Sequence, residues 1–143
     1  MLNMKDRITR QELEYVARLF SDYMKEEQKR NNSTYEVRDT GKLESSLAQP
    51  FQRIGGKDLY PTLISKVAML YYLCIKNHPF EDGNKRMGIF ALIIYLAYNG
   101  YWLDTTNEEL FNMTVRTAAS GMKERDQVVN EIESFVEKSI IPY

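Results

Sequence analysis

Apolar residues recur along most of this chain at helical rather than strand spacing. Thr9-Arg10-Gln11-Glu12 has the Thr-x-x-Glu form of a capping box, and Leu13, Val16, Leu19, Phe20 and Tyr23 then follow on one face. A first helix over 10–29 is predicted, broken by Asn31, Asn32 and Ser33. Between Tyr35 and Tyr60 the periodicity lapses. Asp39-Thr40-Gly41 reads as a turn, Lys42 to Ala48 as a short helical piece, and Pro50 and Gly55-Gly56 as breakers, so a short helix followed by a hairpin-like flap is expected. Pro61 suits the first turn of the next helix. Leu63, Ile64, Val67, Leu70, Tyr71, Cys74 and Ile75 give that helix a broad apolar face ending near Asn77.

The pattern resumes around Gly83 or Asn84 with Met87, Ile89, Phe90, Leu92, Ile93, Ile94, Leu96 and Tyr98, stopped by Asn99-Gly100. A helix apolar nearly all round belongs at the centre of a fold. Thr106-Asn107-Glu108-Glu109 is a second capping-box spacing and opens a helix to about Ser120, with Gly121 ending it. A last helix over 123–139 places Val128, Val129, Ile132, Phe135, Val136 and Ile140 on one face and charges on the other. The expected fold is all-α with at most a small hairpin, and it contains no internal repeat.

A chain of 143 residues is read as one domain, 1–143. Nineteen basic against twenty acidic residues leave no electrostatic footprint for nucleic acid or an anionic membrane, so no direct nucleic-acid binding is expected. The single cysteine, Cys74, falls within an apolar helical pattern and reads as a buried, inert thiol. Met1 to Arg10 lacks the apolar core of a secretory signal, and the longest apolar stretch, Ile89 to Tyr98, is about half of a membrane span. The expectation is a soluble, cytoplasmic protein.

Between the two most apolar helices lies the run His78-Pro79-Phe80-Glu81-Asp82-Gly83-Asn84-Lys85-Arg86, which holds the only histidine. The proline disfavours helical geometry at His78 and makes it a helix boundary. The start of the following helix carries partial positive charge and unsatisfied backbone amides, a ready site for an anion and for phosphate in particular. Gly83 permits close backbone approach there, and Asn84, Lys85 and Arg86 add donors. This is no Walker P-loop, because the spaced glycines before Lys-Ser or Lys-Thr are absent. Asp82 or Glu81 offers the oxygen ligand that magnesium takes beside substrate phosphates. A neutral His78 accepts a proton near cellular pH. Base, metal carboxylate and phosphate cradle are together the requirements of phosphoryl transfer. Taken singly each residue has a plainer role: His78 or Asp82 as a helix cap, Lys85 and Arg86 as solvated charges, Phe80 as a core plug.

In order, His-Pro-Phe-x-Asp-Gly-Asn-Lys-Arg resembles the signature of the Fic/Doc superfamily, whose Fic branch reads His-x-Phe-x-Asp/Glu-Gly-Asn-Gly-Arg-x-x-Arg. The segments Val37 to Leu47 and Gly56 to Leu63 are similar to stretches of Doc-like proteins, and the resemblance covers most of 35–105. It implies a helical bundle around a central buried helix, with a flap before the helix that precedes the motif. It implies that His78 deprotonates a hydroxyl of a target protein, that Asp82 holds Mg2+ against the phosphates of ATP or another NTP, and that Gly83 and Asn84 form the anion nest. Arg86 would contact phosphate and Lys85 would add a nucleotide contact. Phe80 would be the plug, and the segment around 45–60 the flap that aligns the target.

Two departures from the Fic pattern bear on the reaction. Lys85 stands where Fic adenylyltransferases have a second glycine, and Ile89 where they have a second arginine. Doc-like toxins share the lysine. The implied activity is that of a Doc-like kinase giving the γ-phosphate to a protein hydroxyl, with elongation factor Tu as the family's known target and a separate antitoxin as restraint. The alternatives are a Fic-type nucleotidyltransferase (AMPylation or other NMP transfer) and a noncatalytic helical binding module. Ser120 and Glu124 have the first spacing of the inhibitory helix of many Fic proteins, but Arg125 follows and the partner arginine is missing, so Ser120-Gly121 reads as a helix end.

Overall fold

A computed structural model describes residues 9, 11–12, 15, 39–77 and 84–142. The predicted first helix lies almost wholly outside them, although Gln11, Glu12 and Tyr15 are helical and the capping geometry at Thr9 is present. The Glu12 amide donates to Thr9 Oγ1 (3.1 Å), and the Thr9 hydroxyl donates to Glu12 Oε1 (3.0 Å).

The first helix described in full, α1 (Thr40–Ala48), begins two residues before the predicted piece. Asp39 is its N-cap, its carboxylate accepting from the Lys42 amide at 3.0 Å, so the expected turn is instead the cap and first turn of this helix. A 3₁₀ turn at Gln49–Phe51 leads to a hairpin of β1 (Arg53–Ile54) and β2 (Lys57–Asp58), paired antiparallel with Arg53 opposite Asp58. Gly55 (φ 58°) and Gly56 (φ 79°) both take positive φ, the requirement of a two-residue hairpin turn whose twist matches its strands. The predicted flap is therefore present.

Helix α2 (Leu63–Lys76) is capped by Thr62, whose hydroxyl accepts from the Ser65 amide at 3.0 Å. Pro61 thus precedes the cap instead of occupying the first turn. All ten residues from Lys66 to Ile75 are buried. Helix α3 (Asn84–Tyr98) buries Met87, Gly88, Ala91, Leu92, Tyr95 and Leu96, while Ile89, Phe90, Ile93 and Ile94 are half-buried. Among the described residues, the element enclosed all round is consequently α2, the helix before the polar run. Gly100 (φ 85°) turns the chain into β3 (Tyr101–Leu103).

Helices α4 (Asn107–Ala119) and α5 (Arg125–Ser139) follow, separated by a 3₁₀ turn at Met122–Glu124, and β4 (Ile140–Pro142) closes the described chain. Thr106 caps α4, accepting from the Glu109 amide at 3.1 Å as its spacing predicted. Ser120 caps the other end of α4 with extended geometry, the helix end that the sequence suggests. Strand β4 pairs antiparallel with β3, Leu103 opposite Ile140, a second small sheet that the sequence pattern did not announce. The fold is all-α, with two two-stranded sheets among the described residues.

Leu43 and Leu47 of α1, Val67 to Ile75 of α2, the inner face of α3 and Val128, Ile132, Phe135 and Val136 of α5 form one core. Close helix approach explains one small residue in it. A Cβ on Gly88 would lie 2.6 Å from Ile75 Cγ1 and 3.3 Å from the Tyr71 carbonyl oxygen, so only glycine lets α3 meet the end of α2 this closely. The Tyr71 hydroxyl is matched inside the core: Thr114 donates to the Leu110 carbonyl (2.7 Å), which leaves its oxygen to accept from the Tyr71 hydroxyl (2.6 Å). Burial pushes the Tyr71 phenol up to about 12 and the Cys74 thiol likewise to about 12, so Cys74 is the inert thiol expected. Among the described residues no helix is long and apolar enough to cross a membrane.

Candidate active site

His78, Phe80, Glu81, Asp82 and Gly83 lie outside the described residues, so the site is built from its two shoulders and its flap. One shoulder is the first turn of α3. Asn84 is half-buried, Lys85 is exposed, and Arg86 is half-buried with its Nη1 atom shut away from solvent and without a hydrogen-bond partner. A guanidinium cannot shed its charge, and a buried donor left unmatched costs about 1–3 kcal/mol, more when charged. Such a nitrogen at a helix start, where the backbone already adds partial positive charge, is suited to an anion. Of the two cations that the sequence pairs, Arg86 is thus the inner and Lys85 the outer one. Among the described residues no group of three metal-ligating side chains occurs, and the carboxylates proposed for magnesium, Asp82 and Glu81, are not among those described.

The other shoulder is the end of α2. Asn77 closes the helix, its amide donating to the Leu73 carbonyl at 2.9 Å. Its side-chain Nδ2 donates to Ser46 Oγ of α1 at 2.9 Å. The neighbouring Lys76 ammonium donates to the carbonyls of Ala118 (3.1 Å) and Ser120 (2.6 Å) at the end of α4.

The flap is fixed to α2 by charge. Lys66, 5% exposed, donates from Nζ to Asp58 Oδ2 at 3.1 Å and to the Tyr60 carbonyl. Asp58 also pairs with Arg53 Nε at 3.0 Å, and Arg53 donates to the Gly56 carbonyl at 3.0 Å. The hydrogen bond from Lys66, aided by the charges of Lys66 and Arg53, holds the Asp58 carboxyl below its ordinary range. Ile54, beside the turn, is 67% exposed.

The apolar periodicity did not single out Lys66, Lys76, Asn77 or Ser46. A signal for Lys66 existed, since it stands three residues after Leu63 and four before Leu70, on the face that had to be buried.

These features describe a helical domain in which an anion-receptive helix start follows a core helix that carries a tethered hairpin. A model of the family described as "Fic/DOC family" matches residues 7–96. The chain belongs to the Fic/DOC family. It is similar to the protein named "Toxin Doc" of Mycolicibacterium smegmatis, 40% identical over 67 residues that make up 47% of this chain and 52% of that protein. The chain therefore matches about half the length of that relative.

Proposed function

We propose that the chain is a Doc-like toxin kinase that transfers the γ-phosphate of an NTP, ATP by expectation, to a hydroxyl of a target protein. The observation that carries the reading is Arg86, two residues beyond Asn84 in the first turn of α3, whose Nη1 is buried and unmatched, as a phosphate contact requires. His78 takes the proton of the attacking hydroxyl. The new bond joins that oxygen to the γ-phosphorus, the bond to the β,γ-bridging oxygen breaks, and the nucleoside diphosphate leaves with it. Gly83 and Asn84 hold phosphate oxygens through backbone and amide donors, and Arg86 matches the charge that develops on them. Magnesium, held by Asp82, would neutralise phosphate charge when bound.

Lys85 and Ile89 favour the kinase over nucleotide transfer. A lysine in place of glycine adds a cation at the edge of the nest, and its exposure leaves it able to reach a phosphate that projects outward. With Ile89 there is no second arginine to seat the nucleotide as Fic enzymes do. The similarity to a protein named as a toxin supports a toxin–antitoxin setting, with a separate antitoxin as partner. Elongation factor Tu, the target that the resemblance of the His78–Arg86 run to Doc-like toxins implies, is the one to try first. We place the activity in the cytoplasm, where that target works.

Two parallel incubations test this: the protein with cell lysate, magnesium, and ATP labelled at the α- or the γ-phosphate. Target labelling from γ alone is expected, and it should vanish in His78→Ala. Label from α would make the protein a nucleotidyltransferase. No label from either, across several nucleotides, would leave a noncatalytic helical binding module.

A further inference from the structure

The residue that precedes His78 in the chain is held from one side of the fold, and the residue before that from another. On the first side Ser46, fully buried in α1, donates its hydroxyl proton to the Lys42 carbonyl at 2.8 Å, with the Leu73 carbonyl of α2 a longer second acceptor at 3.4 Å. A lone pair is thereby left to accept from Asn77 Nδ2 at 2.9 Å, and because Ser46 is enclosed its rotamer is set by packing. On the second side the Lys76 ammonium sits between the Ala118 and Ser120 carbonyls. Those carbonyls close α4, where the last turn lacks internal donors and carries partial negative charge, so a cation is favoured there.

From this geometry we infer that Lys76 and Asn77 are positioning residues, which fix the last turn of α2 between α1 and α4 and so set where His78 starts. The inference rests on reading His78 as the base. Neither tie is needed to seat the helix, because the ten buried residues from Lys66 to Ile75 already do that. What burial leaves undetermined is the final turn, since helix ends fray when their last carbonyls go unmatched. A general base tolerates little of this: a misplacement of about 1 Å at the reacting atoms lowers the rate by on the order of 10²-fold.

The chain's single histidine makes the test direct. Protein labelled with ¹³C only at histidine gives one imidazole Cε1–H correlation, which needs no assignment and no substrate. The variants are Asn77→Ala, Ser46→Ala, their combination, Lys76→Met, Lys76→Arg, and Val129→Ala as a destabilised control on α5. We expect Asn77→Ala, Ser46→Ala and Lys76→Met to shift or broaden that line. Their kcat for γ-phosphate transfer should fall about 10- to 100-fold, with KM for ATP nearly unchanged. Lys76→Arg keeps the donors and should restore both line and rate, and the Ser46–Asn77 double variant should be no worse than either single one. The control should leave the line in place.

A line coincident with wild type in Asn77→Ala and Lys76→Met overturns the inference, as does an equal movement in Val129→Ala. Should either of those two variants fail to fold, Ser46→Ala, which removes one oxygen, decides alone by the same line. The spectrum also separates the two readings. Movement of the line in a protein that labels no target supports the ties and removes the kinase. Activity lost without movement leaves the kinase standing and removes the ties.

Discussion

Strands β1 and β2 form a ladder of two residue pairs, and β3 and β4 one of three, but their surroundings differ in kind. All four residues of the first sheet are exposed, and the sheet is kept in place by Arg53, Asp58 and Lys66. The second is nailed to the core by Leu103, 8% exposed, opposite Ile140, and Trp102, Ile141 and Pro142 face solvent. A sheet docked by charge can lift from the body without opening apolar surface to water. A sheet docked by its side chains cannot, since each apolar group costs about 1.5–3 kcal/mol to expose. The lesson is that one small sheet is an attachment and the other a closure of the core.

The harshest way to break the comparison is Leu103→Ala. It should lower global stability by about 2–4 kcal/mol, read as a fall in the urea midpoint, and speed exchange of the Asp104 amide, which donates to the Ser139 carbonyl at 2.7 Å. Equal loss of protection at Leu59, whose amide donates to Gln52 at 2.9 Å, beyond that of global unfolding, would show that the sheets are not independent. Next comes Lys66→Met, which keeps most of the packing and removes both ties to the hairpin. Because Asp58 is 36% exposed and regains water, about 1–2 kcal/mol is expected, with faster exchange at Leu59 and an unaltered Asp104.

Gly56→Ala forces a side chain into positive φ at a point with open space around it, so its cost of about 1–2 kcal/mol should stay within the hairpin and leave the urea slope unchanged. The smallest effect is that of pH, and it separates the sheets by sign. Asp58 is held below the ordinary range, so its contribution is present above the unfolded value of about 3.9 and lost as pH falls through the lower folded one. Hairpin protection should therefore decline in acid before that of β3–β4. The buried Tyr71 and Cys74, raised to about 12, contribute below their unfolded values and lose that contribution as pH climbs through about 12. Alkali should thus loosen the core, with Leu59 and Asp104 exposed together.

Legibility in the sequence followed the range of the forces. The hairpin was readable because Gly55-Gly56 states its turn locally, and α4 because Thr106 and Glu109 sit three residues apart. The β3–β4 sheet was not, since its partners are separated by two helices and strands of three residues show too little alternation. Asp39 and Pro61 misled by one role each: aspartate caps as readily as it turns, and a proline just outside a cap looks like one just inside. At the site the order of letters from His78 to Arg86 pointed to phosphate chemistry. The inner place of Arg86, the flap's hold on Lys66 and the ties at Asn77 and Lys76 all depend on helices meeting in space.

Cys74 gives the molecule a practical asset. The chain's one thiol is sealed and almost never ionised, so it is blind to maleimides and iodoacetamides at neutral pH. A cysteine introduced at Ile54, exposed at the hairpin's tip, would be the sole position to take up a fluorophore or a spin label. The chain is by nature a background-free host for watching its flap move.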